Sequence, residues 1–479
     1  MFMNKSIATR LVLAAAVAVA LSGCIVSRVD PEKPELPLPD TLPAPAEASV
    51  QLPDPWWTLF ADPALDQLVD EALANNTDVR VAAARVAQAR AELRIVNADR
   101  LPTVDVQGTA SRSKDSAFAT LPGTDRYGTL YNVQGSVGFE LDFWGRYQRA
   151  SESARAQLLN TEYGREATKL SLTGDVVRGY FSTIAAAEQL ARGRDTIGSR
   201  EESLRLEKIR FDAGESDEFT YKRAEADAAA TRTSVYQLEL ELDRRTNALG
   251  LLLGRSPKDL VDNAIRLPKS MLPALVTLPA ELPSSVMARR PDIGAAEAAL
   301  VSAAADIGVA RADLFPRISL TGNYGSVSPE LSDLFTKPAE AWSVAGNILQ
   351  PVFEGGRLRA NVSRAEAIRE QRKAEYAGTV QSAFREVLDG LNGQGLIKNV
   401  REGSAAQVAA LARATELAEL RYAQGDIAYL DLLDARRSLF QAQIDLVAAQ
   451  RDALLNTVDL ALAVGGGLGP SAEPLTAKR

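Results

Sequence analysis

The chain repeats itself, and that constraint governs every fold open to it. Ala74–Gly108 aligns with Ala288–Gly322 without a gap, pairing Asp78 with Asp292, Asp99 with Asp313, Pro102 with Pro316 and Gly108 with Gly322. Further along, in a slightly shorter register, Gly145-Arg146 pairs with Gly356-Arg357, Arg210 with Arg421, Gly214 with Gly425 and Gly254 with Gly465. Alanine matches alone would mean little in so alanine-rich a chain. Constant-register Pro, Gly and Arg pairs point to two copies of one structural unit.

Each copy has the same order of elements. In the first, Pro63 to Asp99 carries apolar residues at helical spacing (Leu65, Leu68, Val69, Leu73, then Ala82, Val86, Ala89, Leu93) and stops before Leu101-Pro102. The period then changes to two. Val104, Val106, Gly108 and Ala110 alternate with Asp105, Gln107, Thr109 and Ser111, and Val133, Val137, Phe139, Leu141 and Phe143 alternate with polar neighbours. In the second copy Ile318, Leu320 and Tyr324, then Trp342, Val344 and Ile348, do the same, and Pro351 marks a bulge or strand end. Gly145 to Phe211 and Gly356 to Tyr422 contain no proline, and each would make a helix of roughly 100 Å if continuous. Beyond Gly214 and Gly425, which read as helix stops, Val235/Leu242/Leu249 and Leu433/Phe440/Val447/Leu454 follow a heptad spacing.

The expected organisation is therefore a segment 1–23, a Pro-rich tether 24–55, a first repeat 56–254, a linker 255–283, a second repeat 284–465 and a tail 466–479. Within the repeats we expect strand pairs at about 102–143 and 316–353, long helices at about 145–211 and 356–422, and return helices at about 217–252 and 428–464.

Composition excludes much chemistry. With no histidine among 479 residues, His-dependent triads, His-ligated metals and imidazole acid–base schemes are absent. Four methionines and one cysteine leave no soft-metal path, and a net charge of −8 gives no footprint for nucleic acid. No catalytic residue, metal site or cofactor is expected. The single cysteine, Cys24, follows a positive start (Lys5, Arg10), the apolar run Leu11–Leu21 and the small residues Ser22-Gly23. Leu21-Ser22-Gly23-Cys24 resembles the bacterial lipobox, which implies a diacylglyceryl thioether and an N-acyl chain on Cys24. Ile25, in place of the aspartate that resembles an inner-membrane retention signal, directs the expectation to the outer membrane. Eight prolines between Pro31 and Pro55 read as an extended tether.

Four amphipathic strands cannot close a barrel, and open edges cannot face lipid. Copies of the chain must pool them: eight strands in a dimer, twelve in a trimer, sixteen in a tetramer. Phe143, Trp144 and Phe353 fall near strand ends, where either an aromatic girdle or ordinary packing would place them.

The stretches "PWWTLFADPALDQLVDEALANNTDVRVAAARVAQARAELR", "ARRPDIGAAEAAL", "ARADLFPRISLTG", "PVFEGGR" and "RYAQGDIAYLDLLDARRSLFQAQ" resemble the TolC-like outer-membrane efflux factors, in their acylated branch. The resemblance covers essentially the whole mature chain. It implies a mainly α fold with membrane β: a homotrimer whose twelve-stranded barrel continues into a periplasmic α-helical barrel. It also implies a periplasmic adaptor and an inner-membrane resistance-nodulation-division pump as partners, and small toxic molecules as cargo. A duct for secreted polypeptides and a non-conducting coiled-coil lipoprotein are the alternatives. For the narrow end, the resemblance places Asp431 and Asp434, three apart on one helical face, in stacked carboxylate rings, and Arg421 and Tyr422 in a closing latch. Sequence alone equally allows the two aspartates to be a solvated helix start. Ile427 stands where some relatives carry arginine, Thr220 is the counterpart of Asp431, and Asp217 or Glu218 could supply the latch carboxylate. The hairpin tips at Gly214-Glu215 and Gly425-Asp426 resemble adaptor-docking sites.

Overall fold

A computed structural model describes residues 29–37, 53–116, 118, 121, 125–262, 271–275 and 290–466. Cys24, the leader, most of the inter-repeat linker and the tail beyond residue 466 lie outside the described residues. The elements run α1 (Pro63–Asn75), α2 (Thr77–Ala98), β1 (Thr103–Lys114), β2 (Tyr127–Leu141), α3 (Arg146–Asp212), α4 (Glu218–Leu252) and a short α5 (Pro257–Val261). The second series is α6 (Pro291–Ala312), β3 (Arg317–Ser328), β4 (Glu340–Leu349), α7 (Arg357–Ala423) and α8 (Tyr429–Ala463). Both long helices are 67 residues and both return helices 35.

Two local readings change. The periodic stretch from Pro63 to Asp99 is two helices, because Asn76 breaks it: its side-chain oxygen accepts the Asp78 and Val79 N–H groups at 2.8 and 3.4 Å and starts a new helix. β2 ends at Leu141, so Phe143 lies outside the strand. Asp142 instead receives the first N–H groups of α3, from Tyr147 at 3.2 Å and Gln148 at 2.8 Å.

The chain divides into two units. The first gathers Arg85–Thr161 and Ala295–Ala377 around one antiparallel sheet, ordered β1-β2-β3-β4. Its register aligns the alternation of all four strands. Val104 pairs with Val137, Val137 with Gly322 and Gly322 with Val344, while the next rung runs Asp105, Ser136, Asn323, Ser343. Paired residues share a face, so one face is apolar and the other polar. β1 and β4 are exposed along their whole length and carry the two unpaired edges. Among the described residues of this unit nothing covers the apolar face: Val106, Trp342, Val344 and Ile348 are all largely exposed. Trp144 has the ordinary packing role open to it. Its indole donates to the Pro316 carbonyl at 2.7 Å and stacks on Phe315 at 4.7 Å, joining the starts of α3 and β3. Phe353 remains exposed. α6 is apolar enough by length and composition to cross a bilayer, yet half of its most apolar stretch is buried, as in an ordinary packed helix.

The second unit gathers Glu162–Gly294 and Gly378 onward, with Leu36–Ala84. Its core forms where the Trp56–Phe60 turn and α1 pack on α3, α4 and α8: Trp56, Phe60, Leu65, Val69, Tyr180, Phe181, Ile184, Leu249, Leu454 and Leu460 are all buried. Phe60 meets Phe181 edge to face at 4.8 Å, and the Trp56 indole donates to Thr173 Oγ1 at 3.3 Å. The buried carboxylate of Asp62 is satisfied twice, accepting the Ala64 N–H at 3.1 Å to cap α1 and the Tyr180 hydroxyl at 3.0 Å.

Candidate functional site

The two hairpins, α3–α4 and α7–α8, turn by the same device. Gly214 has φ +77° and Gly425 φ +81°, a left-handed conformation that stops each long helix at little steric cost. Gly214 N–H bonds to Phe211 O and Glu215 N–H to Arg210 O, and Gly425 and Asp426 repeat this with Tyr422 and Arg421. The next helix is capped differently in each copy. Asp217 accepts the Thr220 N–H at 2.6 Å to start α4, whereas the Ala428 N–H donates to Asp431 at 3.2 Å to start α8. Thr220 and Asp431 are repeat counterparts, so the carboxylate has moved from before the helix to its third position.

Beside these turns lies a part-buried hydrogen-bonded cluster joining α3 to α7. The Tyr422 hydroxyl donates to Glu207 Oε1 at 2.6 Å, and Arg210 donates to the same hydroxyl at 3.1 Å. Arg210 also pairs with Glu207 at 3.4 Å, and Ser216 donates to its other oxygen at 3.2 Å. Glu207 is only 3% exposed, so its carboxylate oxygens take their hydrogen bonds from these partners rather than from bulk water. Burial, with the Glu207 carboxylate next to it, pushes the Tyr422 phenol well above its ordinary pKa, and the hydroxyl stays a donor throughout the physiological range. The ring packs on Tyr429, itself buried with Leu433 and Ala224.

Further from the turns, Asp227 on α4 bridges Arg437 on α8 at 2.9 Å and Arg200 on α3 at 3.0 Å. Asp227 and Arg200 are both buried, and burial lowers the Arg200 pKa against the pull of Asp227. Arg436 reaches Glu419 at 2.8 Å and Ser203 at 2.8 Å. Four helices, α3, α4, α7 and α8, are thus tied by ion pairs and hydrogen bonds at two levels.

Of the sequence candidates, Tyr422 sits in this cluster and Arg421 does not: its side chain is exposed and makes no bond with other described residues. The carboxylate that Tyr422 meets is Glu207, whereas Asp217 is committed to its cap and Glu218 is exposed. Asp431 and Asp434 are exposed on α8, and Asp431 serves its helix start. Glu215 and Asp426 are exposed at the tips, and a Cβ at Gly214 or Gly425 would meet nothing within 4 Å. Among the described residues no group of acidic or thiol side chains could hold a metal. Glu207, Arg210, Arg200 and Asp227 were not singled out from sequence. A comparison of the repeats carried one signal: Phe211 is the counterpart of Tyr422, so the hydroxyl appears in one hairpin only.

A four-stranded sheet with one apolar face and two open edges, and two long helical hairpins locked near their turns, define an outer-membrane channel subunit. Residues 68–255 and 282–466 match the outer membrane efflux protein family, and the chain belongs to it. It is 38% identical over 411 residues to the solvent efflux pump outer membrane protein SrpC of Pseudomonas putida, spanning 85% of this chain and 86% of that protein. With the probable outer membrane lipoprotein SilC of Salmonella typhimurium it shares 32% over 458 residues, 93% of this chain and 96% of the other. Its fold matches the Campylobacter jejuni CmeC outer membrane channel with a TM-score of 0.86 at 26% identity, covering 92% of this chain and 96% of that one. The chain is an efflux channel protein of the outer membrane that extends into the periplasm.

Proposed function

We propose that three copies pool their strands into a twelve-stranded barrel and conduct small toxic molecules passively outward, received from a periplasmic adaptor and an inner-membrane resistance-nodulation-division pump. The observation that carries this is the sheet. Its apolar face has no cover, its polar face suits a water-filled lumen, and its edges demand further strands. Relatives named for solvent and cation efflux favour small cargo over polypeptides. The tips at Gly214-Glu215 and Gly425-Asp426 meet the adaptor, and the Tyr422–Glu207–Arg210 cluster holds the passage shut. Purified protein in planar bilayers should show discrete current steps. Export in a strain lacking its own channel should be restored for small molecules and not for a secreted protein.

Asp431 and Asp434 give the narrow end two rings of three carboxylates, which select cations. Asp431→Asn with Asp434→Asn isolates the charge, since the amide oxygen at 431 can still accept the Ala428 N–H. The pair should lose most cation selectivity and block by divalent ions in single-channel recordings, with trimer content unchanged. Equal selectivity in wild type and variant would leave the aspartates as a helix start only.

Cys24 carries the lipid, and a relative named as an outer membrane lipoprotein supports this. Cys24→Ser should abolish incorporation of labelled fatty acid and arrest processing of the leader. Unchanged labelling would exclude the anchor.

A further inference from the structure

Register assigns each charged side chain of the sheet to one face or the other. On the apolar face β1 contributes Val104, Val106, Gly108 and Ala110, and then, at its far end, Arg112 and Lys114. These two cations are therefore on the side turned to lipid, not to the lumen. Among the described residues neither pairs with a carboxylate. Both instead lie over the ring of Tyr127, the residue opposite Lys114 on β2, with Arg112 at 5.9 Å and Lys114 at 5.0 Å from its centre. The nearest acids are otherwise engaged. Asp125 accepts the Tyr127 N–H at 3.0 Å, and Asp115 stands opposite Arg126 just beyond the last rung, one charge of each sign. Residues 117–124 contain no acid. Glu340, the single acid on this face of the described strands, lies on β4, at the other edge of the sheet.

The level of the pair in the membrane follows from strand geometry. The helices that extend into the periplasm join the opposite ends of the strands, so the β1–β2 connection faces outward. Val104 is the first residue of the apolar face on β1, and Arg112 and Lys114 stand about 27 and 34 Å further along the strand. With the tilt of about 35–45° usual in such barrels, those lengths become about 19–22 and 24–28 Å along the membrane normal. An outer-membrane apolar band is about 25 Å tall. The two cations thus stand where acyl chains give way to headgroups, with Tyr127 and Tyr131 on the same face beside them.

We infer that Arg112 and Lys114, held on the Tyr127 ring, bind a phosphate monoester on the glycolipid of the outer leaflet. Two residues apart on one face, the side chains start about 7 Å from each other and can both reach one phosphate. A monoester carries about −1.5 to −2 at neutral pH, which two cations neutralise, and the guanidinium offers it a paired set of donors. A phosphodiester carries one charge and fits the pair less well. The inference deepens the barrel reading proposed above, because it requires this face to meet lipid.

The test titrates the full-length, detergent-extracted protein with lipid A, with dephosphorylated lipid A and with phosphatidylglycerol, and counts bound lipid by native mass spectrometry. Wild type should retain lipid A, and Arg112→Gln with Lys114→Gln should weaken that binding several-fold. Lys337→Gln with Arg317→Gln removes equal charge away from Tyr127 and should leave it unchanged. Dephosphorylated lipid A and phosphatidylglycerol should bind wild type several-fold more weakly than lipid A does, a comparison that needs no variant to fold. Current steps in planar bilayers, equal in all three proteins, show that each inserts. Equal lipid A binding by wild type and the Arg112/Lys114 variant, with those steps intact, overturns the site and leaves the barrel standing. Equal binding of lipid A and phosphatidylglycerol by wild type overturns the monoester. Absence of current steps from wild type overturns the barrel and the site with it.

Discussion

Tyr422→Phe combined with Glu207→Gln is expected to raise open-channel occupancy by about an order of magnitude or more. The Tyr422 hydroxyl gives a 2.6 Å bond to a buried carboxylate, and hydrogen bonds to charged groups contribute about 1.5–3 kcal/mol each. Removing donor and charge together avoids leaving Glu207 ionised without its partner. In three copies the loss is multiplied, and the closed state loses its main tie between α3 and α7. Single-channel recording would show longer and larger openings in the variant. Arg421→Ala provides the comparison. Because Arg421 makes no side-chain bond with the described residues of its own chain, an increase in conductance from that change alone would place it against a neighbouring copy. Wild-type conductance in the Tyr422/Glu207 variant would remove the cluster from the gate.

The second large effect is on stability. Phe181 has no exposed surface and packs edge to face on Phe60, with Tyr180 beside it. Phe181→Ala should cost about 3–5 kcal/mol through lost burial and a residual cavity. The damage should spread to the Trp56–Phe60 turn, whose rings rest on that surface. Thermal melts of detergent-solubilised protein should shift downward by several degrees, with faster proteolysis near residue 60. Phe353→Ala, at an exposed ring, should change neither. A melt for Phe181→Ala equal to that of Phe353→Ala would contradict this account of the core.

How much of this was legible in the sequence depends on the range of the interaction involved. The strand alternation is a local signal, and the register turns it into ladders such as Val104, Val137, Gly322 and Val344, because paired residues must share a face. Proline-free tracts with helical periodicity gave the long helices, and the glycines at 214 and 425 their ends. The break at Asn76 was missed because Asn75-Asn76-Thr77 interrupts the apolar spacing for less than one turn. The Tyr422–Glu207 cluster was half legible. Tyr422 could be named from the motif around it, but Glu207 lies on another hairpin, in a charged stretch, "EESLRLEKIRFD", that reads as solvated helix surface. Its burial comes from packing against α7, which no local pattern records. Asp227 is the same case: it meets Arg200 within its own hairpin, but its other partner, Arg437, lies on the second hairpin, far away in sequence.

The central claim is that one chain supplies a third of a closed barrel, so the count of copies decides it. Native mass spectrometry of gently extracted protein, released from its detergent micelle, measures that count directly. The account predicts three chains in the intact species, each with the mass of a covalent lipid added. A stable single chain as the extracted species would leave the edges of β1 and β4 unpaired in the membrane and would contradict it.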